Sequence, residues 1–160
     1  MGKLNFLGIG PRIALVLLPW LALTIILSVL YEGYFSYVSG NSKFLTVSGI
    51  VLLGLGLIFY VSTVRLLLNG LKNTKLITKG AYSLCQNPLY SSIILLIIPS
   101  VSLLINSWLV LTSSIAGYAI FKICIKKEYF ELEKFFGEEY INYKNQTPEF
   151  FPIPIKKWFR

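Results

Sequence analysis

The sequence contains no histidine and no aspartate. A Ser-His-Asp triad or a Cys-His pair is therefore excluded within one chain, since each needs an imidazole as its base. Cysteine is almost as scarce. Cys85 and Cys124 make neither a metal-ligand set nor a disulfide framework. Charge is thin too: only 14% of residues are charged, against roughly a quarter in a globular domain. Acids are rarer still before Glu128, where Glu32 stands alone. No polar stretch is long enough to build a second, soluble core.

What the chain has instead is apolar runs. It is 55% hydrophobic and 15% aromatic. A net charge of +8 raises the question of nucleic acid. The basic residues, however, sit in short segments flanking the apolar runs, which is the pattern of membrane orientation. Nucleic acid is therefore not an expected partner, and membrane lipids are.

Ile13 to Tyr31 is 19 residues without a charge, enough to cross about 30 Å of hydrocarbon. No small-residue cleavage site follows a short apolar region, so this reads as a retained first span. A second span covers about Leu45 to Val64, ending at Arg65 or running to Leu68 before Asn69-Gly70. Its Gly49, Gly54 and Gly56 read as close helix packing in lipid. They do not read as a phosphate cradle, because no strand precedes them and no Lys-Ser/Thr follows. Ser91 to Phe121 is 31 uncharged residues, too many for one span of about 20. With Asn106-Ser107-Trp108 near its middle, it reads as a helical hairpin: span three at about 88–105, span four at about 107–124. Pro99 is a candidate kink in span three.

Six of the seven acids fall in the last segment, 125–160. Ile125, Tyr129, Leu132 and Phe136 recur at helical spacing, so an amphipathic helix continues out of span four until Gly137. Tyr140 and Tyr143 read as interfacial anchors. The tail carries Lys156, Lys157, Trp158 and Arg160, which suit a membrane surface. The expected fold is thus all-α: a single polytopic membrane domain of about four spans with a cytosolic C-terminal helix. Positive residues place both termini and the 65–87 connection in the cytosol, since the two opposite loops carry only Lys43.

Leu76 to Tyr90 is the longest polar interruption. Asn87 suits a helix N-cap and Pro88 the first helical position. A helix start is also a ready anion site. Here it would lie at the membrane surface beside Gly80, Tyr82 and Tyr90. From the residues alone this stretch is a capped helix start, and Glu128 is a surface charge like Glu131 and Glu133. The hairpin brings the two segments to the same end, so one polar pocket built from both is geometrically natural.

Two segments resemble the superfamily of isoprenylcysteine carboxyl methyltransferases and phospholipid N-methyltransferases. Leu76, Thr78, Gly80, Ala81 and Tyr82, then Asn87, Pro88 and Tyr90, match the first signature. Glu128, Leu132, Phe136, Gly137, Tyr140, Tyr143 and Pro148 match the second. The resemblance covers about Leu76 to Pro152. The chain departs from it at Gln86, where the family has Arg, and at Tyr129, where it has a second Glu. A Gln donates a hydrogen bond but forms no bidentate charged pair.

The resemblance implies an integral membrane enzyme using S-adenosyl-L-methionine, with no metal. It implies a lipid-like substrate entering from the bilayer, such as the carboxylate of an isoprenylcysteine-like molecule. Gly80, Tyr82, Gln86, Asn87, Pro88, Tyr90 and Glu128 would form the cofactor site. Glu128 would bind ribose hydroxyls or the cofactor ammonium, or act as base for an amine or alcohol acceptor. Two alternatives stand beside it. One is an NADPH-dependent membrane reductase of the sterol-reductase type. The other is a non-catalytic four-span membrane protein.

Overall fold

The computed structural model describes residues 9–40, 42–73 and 75–150. Lys3 and the tail from Phe151 to Arg160 lie outside the described residues, as does the side chain of Lys72. The elements are α1 (Gly10–Leu30), α2 (Glu32–Phe35), α3 (Lys43–Asn73), α4 (Ala81–Leu84), α5 (Pro88–Ser92), a π-helical turn (Ile93–Ile97), α6 (Ile98–Leu104), α7 (Trp108–Phe136) and α8 (Glu138–Gln146). Among the described residues there is no strand, only an isolated bridge between Ser36 and Ser107.

Three helices are long and apolar enough to cross a membrane: Gly10–Leu30, Lys43–Gly70 and Trp108–Phe136. Pro88–Leu104 is apolar but shorter. Its π turn has a local cause. The ring of Pro99 cannot donate to the Leu95 carbonyl and would clash with it in a regular helix. The wider turn just before Pro99, closed by Ile98 N–H to Ile93 O, relieves that clash.

The second helix runs further than expected. It passes Asn69-Gly70 and ends at Asn73. Gly70 does not act as a stop because it serves packing: Ile77 lies where a Gly70 Cβ would stand. Pro88–Leu104 and Trp108–Phe136 follow one another across a short turn at Ile105–Ser107. Trp108–Phe136 is one unbroken helix. Gly137 ends it at φ +56°, a left-handed position that favours glycine.

Helix α1 packs on α7, and α3 packs on the α5–α6 stretch. The apolar core joins Ile9, just before α1, and Ile13 and Leu17 of α1 to Ile94, Ile98, Phe121 and Ile125. Between α1 and α7 runs a polar seam. Thr24 Oγ1 and Ser113 Oγ lie 3.1 Å apart, and Ser28 Oγ and Ser107 Oγ 2.6 Å apart. Hydroxyl pairs of this kind hold helices together in lipid at about 0.6 kcal/mol each. Leu15, Leu18, Ile26, Val47, Ile50 and Ile58 face outward, where lipid rather than water suits them.

The molecule has two distinct ends. At one, the 36–38 segment meets the hairpin turn: Tyr37 N–H donates to Asn106 O at 3.3 Å, and Tyr37 Oη lies 2.7 Å from Ser102 Oγ. At the other, the start of α1, the 75–87 connection and the α7–α8 region converge. The candidate site lies at this second end.

Candidate functional site at the converging helix ends

The connection after α3 turns at Gly80, whose φ is +64°. A Cβ there would stand 2.7 Å from Leu66 Cδ1, so conformation and close approach both call for glycine. One turn of helix follows, then the chain extends through Cys85 to Asn87. Here the 82–87 and 143–149 stretches meet. Gln86 donates its backbone N–H to Pro148 O at 2.8 Å. Its side-chain amide donates to Lys144 O at 3.1 Å and Thr147 O at 2.6 Å. Tyr143 Oη donates to Tyr82 O at 2.7 Å.

Asn87 occupies the N-cap position of α5, but its side chain does not cap the helix. Pro88 has no N–H to satisfy, and the Asn87 amide turns instead to the C-terminal segment. It donates to Tyr129 Oη at 2.5 Å and to Glu149 O at 3.1 Å. Tyr129 Oη in turn donates to Glu149 Oε1 at 3.1 Å, and Lys122 Nζ donates to Glu149 Oε2 at 2.6 Å. Tyr129 thus stands at the centre of the network that joins the two segments.

Beside this network lies Glu128. It stands beyond the apolar run of α7, after Lys122, Lys126 and Lys127. Its Oε2 accepts the Ile9 N–H at 3.1 Å. Among the described residues it has no cationic partner within ion-pair distance. Burial raises its pKa above the ordinary carboxylate range, the Ile9 donor opposes that, and Glu131 adds to it. Its charge acts on the phenols of Tyr82, Tyr90 and Tyr140. Burial first, and then the Glu128 charge, push the Tyr82 and Tyr140 hydroxyls well above their usual range. Both therefore stay protonated donors at any physiological pH.

Tyr140 is 2% exposed, and its hydroxyl is buried without a hydrogen-bond partner among the described residues. Leaving such a group unpaired costs about 1–3 kcal/mol. A buried orphan of this kind is accounted for where a water, an ion or a ligand supplies the partner.

The expected site residues therefore divide in three. Tyr82 and Tyr90 lie close enough to Glu128 for its charge to act on both phenols. Gln86 and Asn87 spend their side-chain donors on the chain's own C-terminal segment. Gly80 and Pro88 act through the backbone. Tyr140 and Tyr143, expected as interfacial anchors, are instead buried at 2% and 9% exposure. Their three-residue spacing puts them on one face of α8, and that face docks on the Tyr82–Cys85 turn rather than on lipid. Glu149 carried no sequence signal, because its partners come from positions 87, 122 and 129.

No group of three or more Cys, His, Asp or Glu able to hold a metal ion occurs among the described residues. Comparison with protein-family models, curated proteins and solved structures returns no match for this chain.

Proposed function

We propose that this chain is an integral membrane methyltransferase that uses S-adenosyl-L-methionine and acts on a hydrophobic substrate held in the bilayer. The observation that carries the reading is Glu128: a largely buried carboxylate with no cationic partner among the described residues, near Tyr82, Tyr90 and Tyr140, whose hydroxyl also has no partner among them. A lone carboxylate beside aromatic rings is a receptor for a cation. The cofactor presents two cations, a sulfonium and an ammonium, and when bound it supplies an activated methyl group whose transfer leaves a neutral thioether. The donor set therefore fits the group.

The chain's own residues supply placement. Glu128 would bind the cofactor's ammonium or its ribose hydroxyls. It takes a proton only if the acceptor is an amine or an alcohol; a carboxylate acceptor needs no base. Tyr82 and Tyr90 offer aromatic faces, and Tyr140 donates its hydroxyl. Holding two reactants in line is worth about 7–11 kcal/mol of barrier.

The proposed topology is four spans, with both termini, α8 and the site facing the cytosol. Pro88–Leu104, 17 residues and about 26 Å long, is the shortest crossing, and local thinning of the bilayer accommodates it. The joining of the two signature segments through Gln86, Asn87 and Tyr143 supports a single site at that end.

One observation favours the non-catalytic alternative: Gln86 and Asn87 spend their amide donors inside the chain. For the reductase alternative the arginines are poorly placed. Arg12 and Arg65, the two among the described residues, are both exposed. Calorimetry of the detergent-solubilised protein separates the readings. The methyltransferase binds S-adenosylmethionine and S-adenosylhomocysteine, and Glu128→Ala weakens binding by about 1–3 kcal/mol. A folded protein that binds neither compound refutes the proposal, and NADPH binding would point to the reductase.

A further inference from the structure

We infer that Lys122, Tyr129 and Asn87 form a binding site for an amphiphile with a compact anionic head group, and that the chain's own Glu149-Phe150 occupies it. Both oxygens of the Glu149 carboxylate are engaged, one by Lys122 Nζ at 2.6 Å and one by Tyr129 Oη at 3.1 Å. Asn87 holds the backbone carbonyl of the same residue at 3.1 Å. The next side chain, Phe150, lies edge-on to Phe121 at 4.7 Å and to Tyr118 at 5.4 Å. An oxyanion held by an ammonium and a phenol, with an amide donor on the adjoining carbonyl and an apolar group in an aromatic slot next to it, is the shape of an amphiphile.

The position on α7 says where the ligand comes from. Lys122 is the first charge after the uncharged run that ends at Phe121. Tyr118 lies one turn back along that run and is 43% exposed. The receptacle therefore sits at the level where head groups meet hydrocarbon, with the slot pointing into the apolar run. A soluble anion would leave that slot empty.

The charge pair adds little to holding the occupant. The side chains of Lys122 and Glu149 are 46% and 30% exposed. Exposed pairs of this kind contribute only about 0–1 kcal/mol. Displacing Glu149-Phe150 also releases the strap from Thr147 to Phe150, which Gln86 N–H holds through Pro148 O at 2.8 Å. The site stands whether or not methyl transfer takes place.

The test uses the full chain in phosphatidylcholine nanodiscs with palmitate as the probe. Acetate serves as anion without chain and hexadecanol as chain without anion. In the wild type, palmitate is expected to speed hydrogen exchange at the Gln86 amide, and the two controls are not. Glu149→Gln removes the competing charge and tightens palmitate binding up to about fourfold, the gain from weakening by up to about 1 kcal/mol a closed state populated at roughly nine parts in ten. Lys122→Gln abolishes the response in both backgrounds. Several results overturn the site: no palmitate binding, acetate acting as well as palmitate, or a saturated wild type whose Gln86 exchange is unchanged. Unchanged palmitate affinity in a Glu149→Gln protein of undiminished melting temperature makes Glu149 a structural latch and refutes the displacement. If that variant does not fold, the wild-type exchange measurement decides.

Discussion

Replacing Gly56 by alanine is expected to loosen the contact between α3 and the π turn, while the same change at Gly54, two residues away, is not. A Cβ at Gly56 would stand 3.0 Å from Leu96 Cβ, 3.0 Å from Ile97 Cγ1 and 3.4 Å from Ile97 N. Two of these neighbours are fixed to the backbone, so no rotamer change relieves the crowding. At Gly49 a Cβ meets Leu104 Cγ and Cδ2 at 2.9 Å, which can rotate away, and Ser100 O at 3.2 Å, which cannot. At Gly54 nothing lies within 4 Å. Overpacking costs about 1–3 kcal/mol. Alanine returns about 1 kcal/mol of helix propensity at every one of these sites. That gain cancels when the variants are compared with one another, since all three glycines lie in one helix. Gly56→Ala is therefore expected to be less stable than Gly54→Ala by about 1–3 kcal/mol, with Gly49→Ala between them. Unfolding by SDS in mixed micelles, followed by circular dichroism, measures the difference. Equal losses at Gly54 and Gly56 would refute the reasoning, because the two share everything except the neighbouring helix.

Glu128→Gln is expected to raise the melting temperature of the solubilised protein at pH 7 to 8. A carboxyl whose pKa is raised in the folded state stabilises the fold fully below its ordinary range and loses that contribution as pH rises. The gap between variant and wild type should close as pH falls through the ordinary carboxylate range; a gap that widens in acid would show the opposite sign of shift. Tyr143→Phe removes the donor to Tyr82 O and is expected to cost about 1 kcal/mol. The loss should appear as faster hydrogen exchange across α8, and unchanged exchange there would mean that α8 is held by its apolar contacts alone. For topology, Lys79→Cys should react with an impermeant thiol reagent only from the cytosolic side and Lys43→Cys only from the other. Labelling of both from one side would rule out the four-span arrangement.

Much of the architecture was legible in the sequence because membrane spans are specified by composition. A charge-free run of about 20 residues must be helical in hydrocarbon, where no water satisfies a backbone amide. Ile13 to Tyr31 needed nothing more, and the hairpin turn at Asn106 followed from excess length. The π turn before Pro99 was less visible, since proline announces a disturbance but not the form it takes. Boundaries failed where a neighbour decided: α3 continues through Asn69-Gly70 because Ile77 covers Gly70.

The three glycines of α3 mark the division most clearly. The sequence gives them one motif and one reading. Only the arrangement of helices separates Gly49 and Gly56, which face α6 and the π turn respectively, from Gly54, where an added Cβ would meet nothing within 4 Å. The site divides in the same way. Tyr82 and Tyr90 could be named from their place beside the helix start, and Glu128 only through the resemblance of its segment. The burial of Tyr140, the engagement of Asn87 by Tyr129, and the seating of Glu149 on Lys122 could not. Hydrogen bonds of that kind join positions 20 to 62 residues apart. They exist only once the helix ends converge, and no local spacing encodes that convergence.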